Sequence, residues 1–382
     1  MKKHLNLLRE FSVPLLAGVV TAIVWANLDP AGYDHFNNAP LLGGYSFHFY
    51  TNDLFMVLFF GIAAVEITQS CLPGGDLHPL AKAVNPLLGT AGGVLGPIAV
   101  YLGLNALFGS PLLHTGWGIP TATDIALAWL AARMGFGARH PAVAYLLLLA
   151  VADDAIGLAI IAIFYPDPLH PVEPIWLLLT VAGMVSAYLF RHFCLHSYWP
   201  YLLIGGTLSW FGLHNAHLHP ALALVFIIPF LPHAPKEHKH LFDDNPGDHT
   251  PLARFEHEWK VVVDLGLFMF SLANAGVAFA SVGTATFLVC ASLIIGKACG
   301  IFSFGWMATR LGFPLPHGMK RRDLLTAGII AGTGFTVALF VAGEAFTDPG
   351  IRGAAKMGAM CSLAAAGIGF MAGRLVGILP KR

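Results

Sequence analysis

The sequence predicts an all-α integral membrane protein of about twelve transmembrane helices. Three observations carry this expectation: the scarcity of charge, the spacing of the apolar runs, and a one-sided distribution of lysine and arginine. The 382 residues are 56% hydrophobic and 11% charged, with a mean hydropathy of +0.69. A soluble domain carries about 25% charged residues, and so few charges would leave a water-facing surface of this size largely uncovered. The formal net charge is zero, which excludes the electrostatic footprint of a nucleic-acid binder.

A spanning helix needs about 20 mostly apolar residues. That template places spans near 11–28, 53–69, 85–108, 117–132, 142–165, 174–194, 199–214, 217–232, 260–280, 284–309, 324–347 and 355–379. The first run has no small-residue cleavage site and reads as a retained helix. Between the first two spans, Tyr45-Ser-Phe-His-Phe-Tyr50 alternates after Gly43-Gly44, the pattern of a small extracytoplasmic β-hairpin. The loop from about 233 to 259 is the main loop on the opposite side. Cys71, Cys194, Cys290, Cys299 and Cys361 stand singly, with no disulfide framework or CxxC pair, and read as small buried apolar residues.

Basic residues test the span count. The N-terminus holds Lys2, Lys3 and Arg9. The loops after even spans and the C-terminus hold Lys82, Arg133, Arg139, Arg191, Lys236, Lys239, Arg254, Lys260, Arg310, Lys320, Arg321, Arg322, Arg374, Lys381 and Arg382. The loops after odd spans hold only Arg352 and Lys356. This 18-to-2 split, with Lys297 left inside a span, puts both termini in the cytoplasm by the positive-inside rule.

Charge inside the bilayer carries the functional signal, because each ionised group there costs at least about 2.5–3.5 kcal/mol. The spans contain Glu66, Asp124, Asp153, Asp154, Asp264, Lys297 and Glu344. Neighbouring helix residues point about 100° apart, so Asp153 and Asp154 cannot face one partner equally. Burial and mutual repulsion penalise ionising both. Such a pair can hold either a proton or a hard cation, which is the minimal chemistry of exchange. Lys297 needs a carboxylate partner, and either aspartate would serve.

Two spans look interrupted, at Ile119-Pro-Thr-Ala-Thr-Asp124 and at Ile330-Ala-Gly-Thr-Gly-Phe-Thr336. Unwound backbone at that depth is tolerated only inside protein or beside a cavity. Interruptions in corresponding positions of two halves mark a transporter site between inverted repeats. Here they fall in the middle members of spans 3–5 and 10–12, which makes 85–165 and 284–379 the expected transport bundle. The helices within 11–69 and 174–280 form the expected panel.

These motifs carry a family likeness. Gly116-Trp-Gly-Ile-Pro-Thr-Ala-Thr-Asp-Ile-Ala126, the Asp-Asp segment Ala150–Tyr165, Gly296-Lys297 and Gly332-Thr-Gly-Phe-Thr336 resemble, in order, the fourth, fifth, tenth and eleventh helices of the NhaA family of bacterial sodium/proton antiporters. Asn52-Asp53, His219-Pro-Ala-Leu-Ala223 and Ala273-Asn-Ala-Gly-Val277 also fit. The resemblance implies an inner-membrane homodimer held partly by the outer hairpin, with no cofactor beyond transported Na⁺ or Li⁺ and H⁺. It implies Asp154 as the main ion and proton carboxylate, Asp153 paired with Lys297, and Asp124 and Thr123 supporting the crossing of the broken helices. Exchange in the family is electrogenic, with more protons entering than cations leaving.

The chain also departs from the family pattern. The family's Lys-Arg-Glu run after the second-span glutamate is replaced by Ile-Thr-Gln-Ser after Glu66. Arg254-Phe-Glu-His257 still resembles the other part of that pH-sensing cluster, so Glu66, Glu256 and His257 are the candidates for pH sensing. Asp264 and Glu344 are acids where the family is apolar. An alternative on the same scaffold is a sodium-coupled symporter of a small anion or organic solute, with Lys297 holding the anion. An intramembrane hydrolase would need acids facing each other from different helices, which adjacent aspartates do not offer. His214, His217 and His219 lie close in sequence but lack an acid or cysteine to complete a metal shell. His233, His238 and His240 read as solvated loop residues.

Overall fold

A computed structural model describes residues 13–73, 80–137, 140–166, 170–233 and 250–375. Lys2, Lys3, Arg9, Arg139, Lys236, Lys239, His238, His240, Lys381 and Arg382 lie outside the described residues, as do the side chains of Lys82 and Arg374. The described chain is helical and contains no strand.

In order, the helices are α1 (Val13–Leu28), α2 (Pro30–Asn38), α3 (Phe47–Cys71), α4 (Leu80–Phe108), α5 (Ile125–Phe136), α6 (Pro141–Phe164) and α7 (Pro174–His192). They continue with α8 (Thr207–Asn215), α9 (Pro251–Asn274), α10 (Thr284–Arg310), α11 (Arg321–Ala331), α12 (Phe335–Ala345), α13 (Pro349–Cys361) and α14 (Leu363–Leu375). Among the described residues, five single helices are long and apolar enough to cross a bilayer, and α11–α12 form a sixth as a pair bent by 47°. At 1.5 Å per residue the 24 residues of α6 extend about 36 Å, more than the ~30 Å hydrocarbon core.

The expected outer β-hairpin is not formed. Its remnant is one antiparallel bridge, Pro40 to Ser46. Gly43 and Gly44 take positive φ of 65° and 82°, which turns the chain tightly. Ser46 Oγ then accepts from Phe49 N at 3.2 Å and caps α3. A helix N-cap at Ser46 thus overrides the two-residue alternation of Tyr45–Tyr50.

The expected eighth span is also not an α-helix. Pro220–Phe230 winds as 3₁₀ pieces, with Pro220 and Pro229 both lacking an N–H. Its 11 residues reach only about 22 Å at the 3₁₀ rise. The cysteines correct the sequence reading as well: Cys71, Cys194, Cys299 and Cys361 are at the surface and Cys290 is half-buried, all as free thiols.

Lipid tails are as apolar as leucine, so helix association depends on close packing rather than on hiding apolar surface. Accordingly Leu178, Val185, Leu203 and Leu265 face outward, while glycines line the tightest crossing. Gly92 and Gly96 of α4 meet Gly296 and Gly300 of α10. A Cβ on Gly96 would lie 2.9 Å from Gly300 Cα, and one on Gly296 would lie 2.6 Å from Pro97 Cα. A π-turn, Ser292–Gly296, immediately precedes Lys297. This crossing and turn together carry the lysine to the centre of the bundle.

Candidate ion-binding site

The fourth span is broken as the sequence predicts. Pro111–Thr121 forms a 3₁₀ segment rich in Pro and Gly, Ala122 is extended (φ −90°, ψ 157°), and α5 starts after Asp124. The second break is Gly332–Gly334, between α11 and α12. The two breaks touch, with Asp124 N donating to Thr333 O at 2.7 Å. Glycine is required by this approach, since a Cβ on Gly334 would lie 2.8 Å from Ala122 O.

Asp124 fastens the crossing with both carboxylate oxygens. Oδ1 caps α5 by accepting from Leu127 N at 3.1 Å. Oδ2 accepts from Thr336 Oγ1 at 2.8 Å and Thr336 N at 3.3 Å. Thr123 lies on the same short extended stretch, with its hydroxyl 2.7 Å from Asp153 Oδ2 and 3.0 Å from Ala331 O.

Lys297 reaches into this crossing from α10 and is fully buried. Its ammonium forms an ion pair with Asp153 Oδ2 and donates to Thr123 Oγ1 at 2.8 Å and Thr121 O at 2.7 Å. Three oxygens therefore surround it, all from the two segments it packs against. The choice the sequence left open between the aspartates falls to Asp153.

Asp154, one residue along α6, is turned away from the lysine and is 8% exposed. Among the described residues, Asp153 Oδ1, Asp154 Oδ1 and Thr333 Oγ1 are buried oxygens without a hydrogen-bond partner. Glu66 on α3 lies close enough to Asp154 for the two to interact electrostatically. Unsatisfied carboxylate oxygens at a buried acid pair are hard, anionic donors of the kind small alkali cations take.

The candidate sensing residues are divided between α3, which carries Glu66, and α9, which carries Glu256 and His257. Gln69, one turn from Glu66, donates to Glu256 at 2.6 Å, and Glu256 pairs with Lys260 at 3.7 Å. His257 is exposed on the same turn of α9. The histidines near 217 do not converge. His214 stacks on Trp210, His217 on His170, and His219 packs against Phe340, and no group of three metal-ligating side chains forms among the described residues. Asp264 is half-buried on α9, while Glu344 lies 3.9 Å from His219.

Sequence reasoning gave no role to Thr333, Thr336, Gln69 or the Thr121 carbonyl. The Gly-Thr-Gly-Phe-Thr run held the signal for the first two. Hydroxyls flanking unwound backbone are where freed peptide groups and carboxylates find partners.

Two interrupted helices crossing inside the membrane, with a buried acid pair and one balancing lysine, define a secondary transporter of small cations. A profile of the Na⁺/H⁺ antiporter 1 family matches residues 3–372, and the chain belongs to that family. It is 72% identical over 378 residues to the Na⁺/H⁺ antiporter NhaA 2 of Pelobacter propionicus, covering 99% of both chains. It is 68% identical over 378 residues to the Na⁺/H⁺ antiporter NhaA of Geobacter sulfurreducens, again covering 99% of both. The fold is similar to that of the sodium proton antiporter MjNhaP1 from Methanocaldococcus jannaschii, with a TM-score of 0.54 at 12% identity over 96% of this chain and 92% of that one.

Proposed function

We propose that Na⁺ (or Li⁺) is exchanged for H⁺ at Asp153 and Asp154 by alternating access across the bacterial inner membrane. Family membership carries the exchange of Na⁺ for H⁺ itself. The site assignment rests on one observation above the rest: Lys297 is consumed by Asp153, Thr123 and Thr121, so that of the two acids, each with a buried Oδ1 lacking a hydrogen-bond partner, Asp154 is the one the lysine does not neutralise directly.

Asp154 binds the cation or a proton, and each expels the other because one carboxylate cannot hold both. Asp153, Lys297 and Thr123 hold the neighbouring charge fixed while this happens. Asp124 keeps the two breaks together. α4–α6, α10–α14 and the 3₁₀ arm before α5 move as one bundle against a panel of α1–α3 and α7–α9, within a twelve-span topology with cytoplasmic termini. Each protomer of a homodimer in the bilayer carries a full site, and Glu66, Glu256 and His257 at the cytoplasmic side adjust activity to pH.

The symporter alternative would need Lys297 free to take an anion. Its three oxygen partners weigh against that reading. Asp154→Asn in proteoliposomes should abolish Na⁺-driven dissipation of a pH gradient while the protein remains inserted. Substantial pH-gradient-driven Na⁺ flux through that variant would overturn the assignment.

A further inference from the structure

Lys356 counts in the sequence as a loop charge, but it lies inside α13 and is 9% exposed. Among the described residues its one hydrogen-bond partner is Asn274 Oδ1, at 3.2 Å. Asn274 ends α9, a helix of the panel. Its amide continues a polar chain: Asn274 Nδ2 donates to Asn52 Oδ1 at 2.8 Å, and Asn52 Nδ2 reaches His48 Nε2 at 3.0 Å. Both asparagines are buried. The segment that carries Asn274 is tied into the panel by separate bonds: Tyr33 Oη donates to Leu272 O at 2.6 Å, and Asn27 Nδ2 to Val277 O at 3.0 Å.

The contrast with Lys297 gives the meaning of this contact. Lys297 holds three oxygens, all within its own bundle. Lys356 holds one, and that one belongs to the other bundle. A buried ammonium with a single partner is a poor permanent cross-link, because an apolar side chain would fill the space without the desolvation penalty. It suits a contact that is made and broken. Two charges act on Lys356 electrostatically: Arg352, one turn earlier on α13, repels it, and Glu344 on α12 attracts it. Glu344 itself meets the panel at His219, 3.9 Å away. Phe60 on α3 also meets Phe340 on α12 across the two bundles, with ring centroids 5.3 Å apart.

We propose that Lys356 is a positioning residue for exchange: its hydrogen bond to Asn274, backed by Asn52 and His48, latches the outer ends of the two bundles together and releases when the aspartates turn outward. The proposal rests on the moving-bundle reading and assigns the side chains that hold its outward-closed state.

The test uses full-length protein in oriented proteoliposomes and compares the apparent Na⁺ half-saturation on the outer and inner faces. A closed state that dominates raises the outer half-saturation by the inverse of the open fraction. Lys356→Met should lower the outer value about tenfold, equivalent to about 1.4 kcal/mol in the closed-to-open ratio, and leave the inner value within about twofold. Asn274→Ala should do the same. The double variant should go no further than either single, because both remove one contact, and Lys356→Arg should restore the asymmetry.

An unchanged ratio of outer to inner half-saturation in Lys356→Met overturns the latch, as does simple additivity of the two substitutions. If Lys356→Met does not insert, Asn274→Ala alone decides the matter by the same ratio. The two readings fail separately. Persistent exchange in Asp154→Asn refutes the site, whereas a dead Asp154→Asn beside an unchanged ratio in the latch variants refutes only the latch.

Discussion

Replacing Asp124 separates a helix staple from a cation ligand. In Asp124→Ala the N-cap of α5 disappears, at a cost of about 1 kcal/mol. The Thr336 amide and hydroxyl, now 3.3 and 2.8 Å from the lost Oδ2, become buried donors without partners, at about 1–3 kcal/mol each. The expected loss is roughly 3–7 kcal/mol. In Asp124→Asn the amide oxygen still caps Leu127, and the Thr336 hydroxyl can turn to accept from the new NH₂ group. Only the Thr336 amide is orphaned, and its bond was the longest, so the loss falls to about 1–2 kcal/mol. Thermal unfolding in detergent ranks stability, and Na⁺ half-saturation in proteoliposomes reads the site. The staple predicts that Ala is severely unstable, while Asn is nearly stable and binds Na⁺ within a few-fold of wild type. The reasoning is refuted if Asn is as stable as wild type yet loses Na⁺ saturation as fully as Ala does, because the carboxylate charge would then be acting on the ion.

Lys297→Met should strip the counter-charge from fully buried Asp153 and destabilise by about 3–5 kcal/mol; adding Asp153→Asn should recover most of that loss, as thermal unfolding of the single and double variants would reveal. The competition proposed for Asp154 also fixes a sign with pH. A proton must leave before Na⁺ binds, so the Na⁺ half-saturation on a given face should rise as pH falls, approaching tenfold per unit where the proton dominates, and a half-saturation flat across the working pH range would remove direct competition.

What the sequence revealed about this molecule tracks how local each cause is. Interruption of the fourth and eleventh spans is written in consecutive prolines, glycines and hydroxyls, and the breaks lie where those residues do. The acid pair and the buried lysine were visible because ionised groups in lipid need a reason. The hairpin failed because alternation over Tyr45–Tyr50 is a weak cue, and a single N-cap at Ser46 outweighed it. Lys356 was misplaced for a different reason. Counting basic residues by loop assumes that a lysine near a helix end is in water, and nothing within α13 announces that Asn274, 82 residues earlier in the chain, supplies its partner. The pairing of Gly92 and Gly96 with Gly296 and Gly300 is likewise a four-residue spacing on each of two helices, and its meaning depends on which helices meet.

The hundred degrees between Asp153 and Asp154 then acquires a function. Had the acids stood one turn apart, both would face α10, and Lys297 would be shared between them, leaving neither available to a cation. Placed consecutively, one carboxylate faces the lysine and the tips of the broken helices, where Thr123 and Thr121 complete its surroundings. The other is turned off that axis, toward the side where Glu66 interacts with it. In the proposed mechanism the fixed pair anchors the bundle at its centre and the displaced carboxylate, whose Oδ1 has no hydrogen-bond partner, takes whichever of the two cations arrives. The segregation depends on α6 staying regular through this stretch, which it does while its neighbours break, with an unbroken helix from Pro141 to Phe164. An extra residue in α6 between the acids and the Gly118–Tyr165 hydrogen bond would turn both by about 100°, carrying Asp154 into the place of Asp153 and Asp153 into that of Ala152, so that no carboxylate would stand where Asp154 now does.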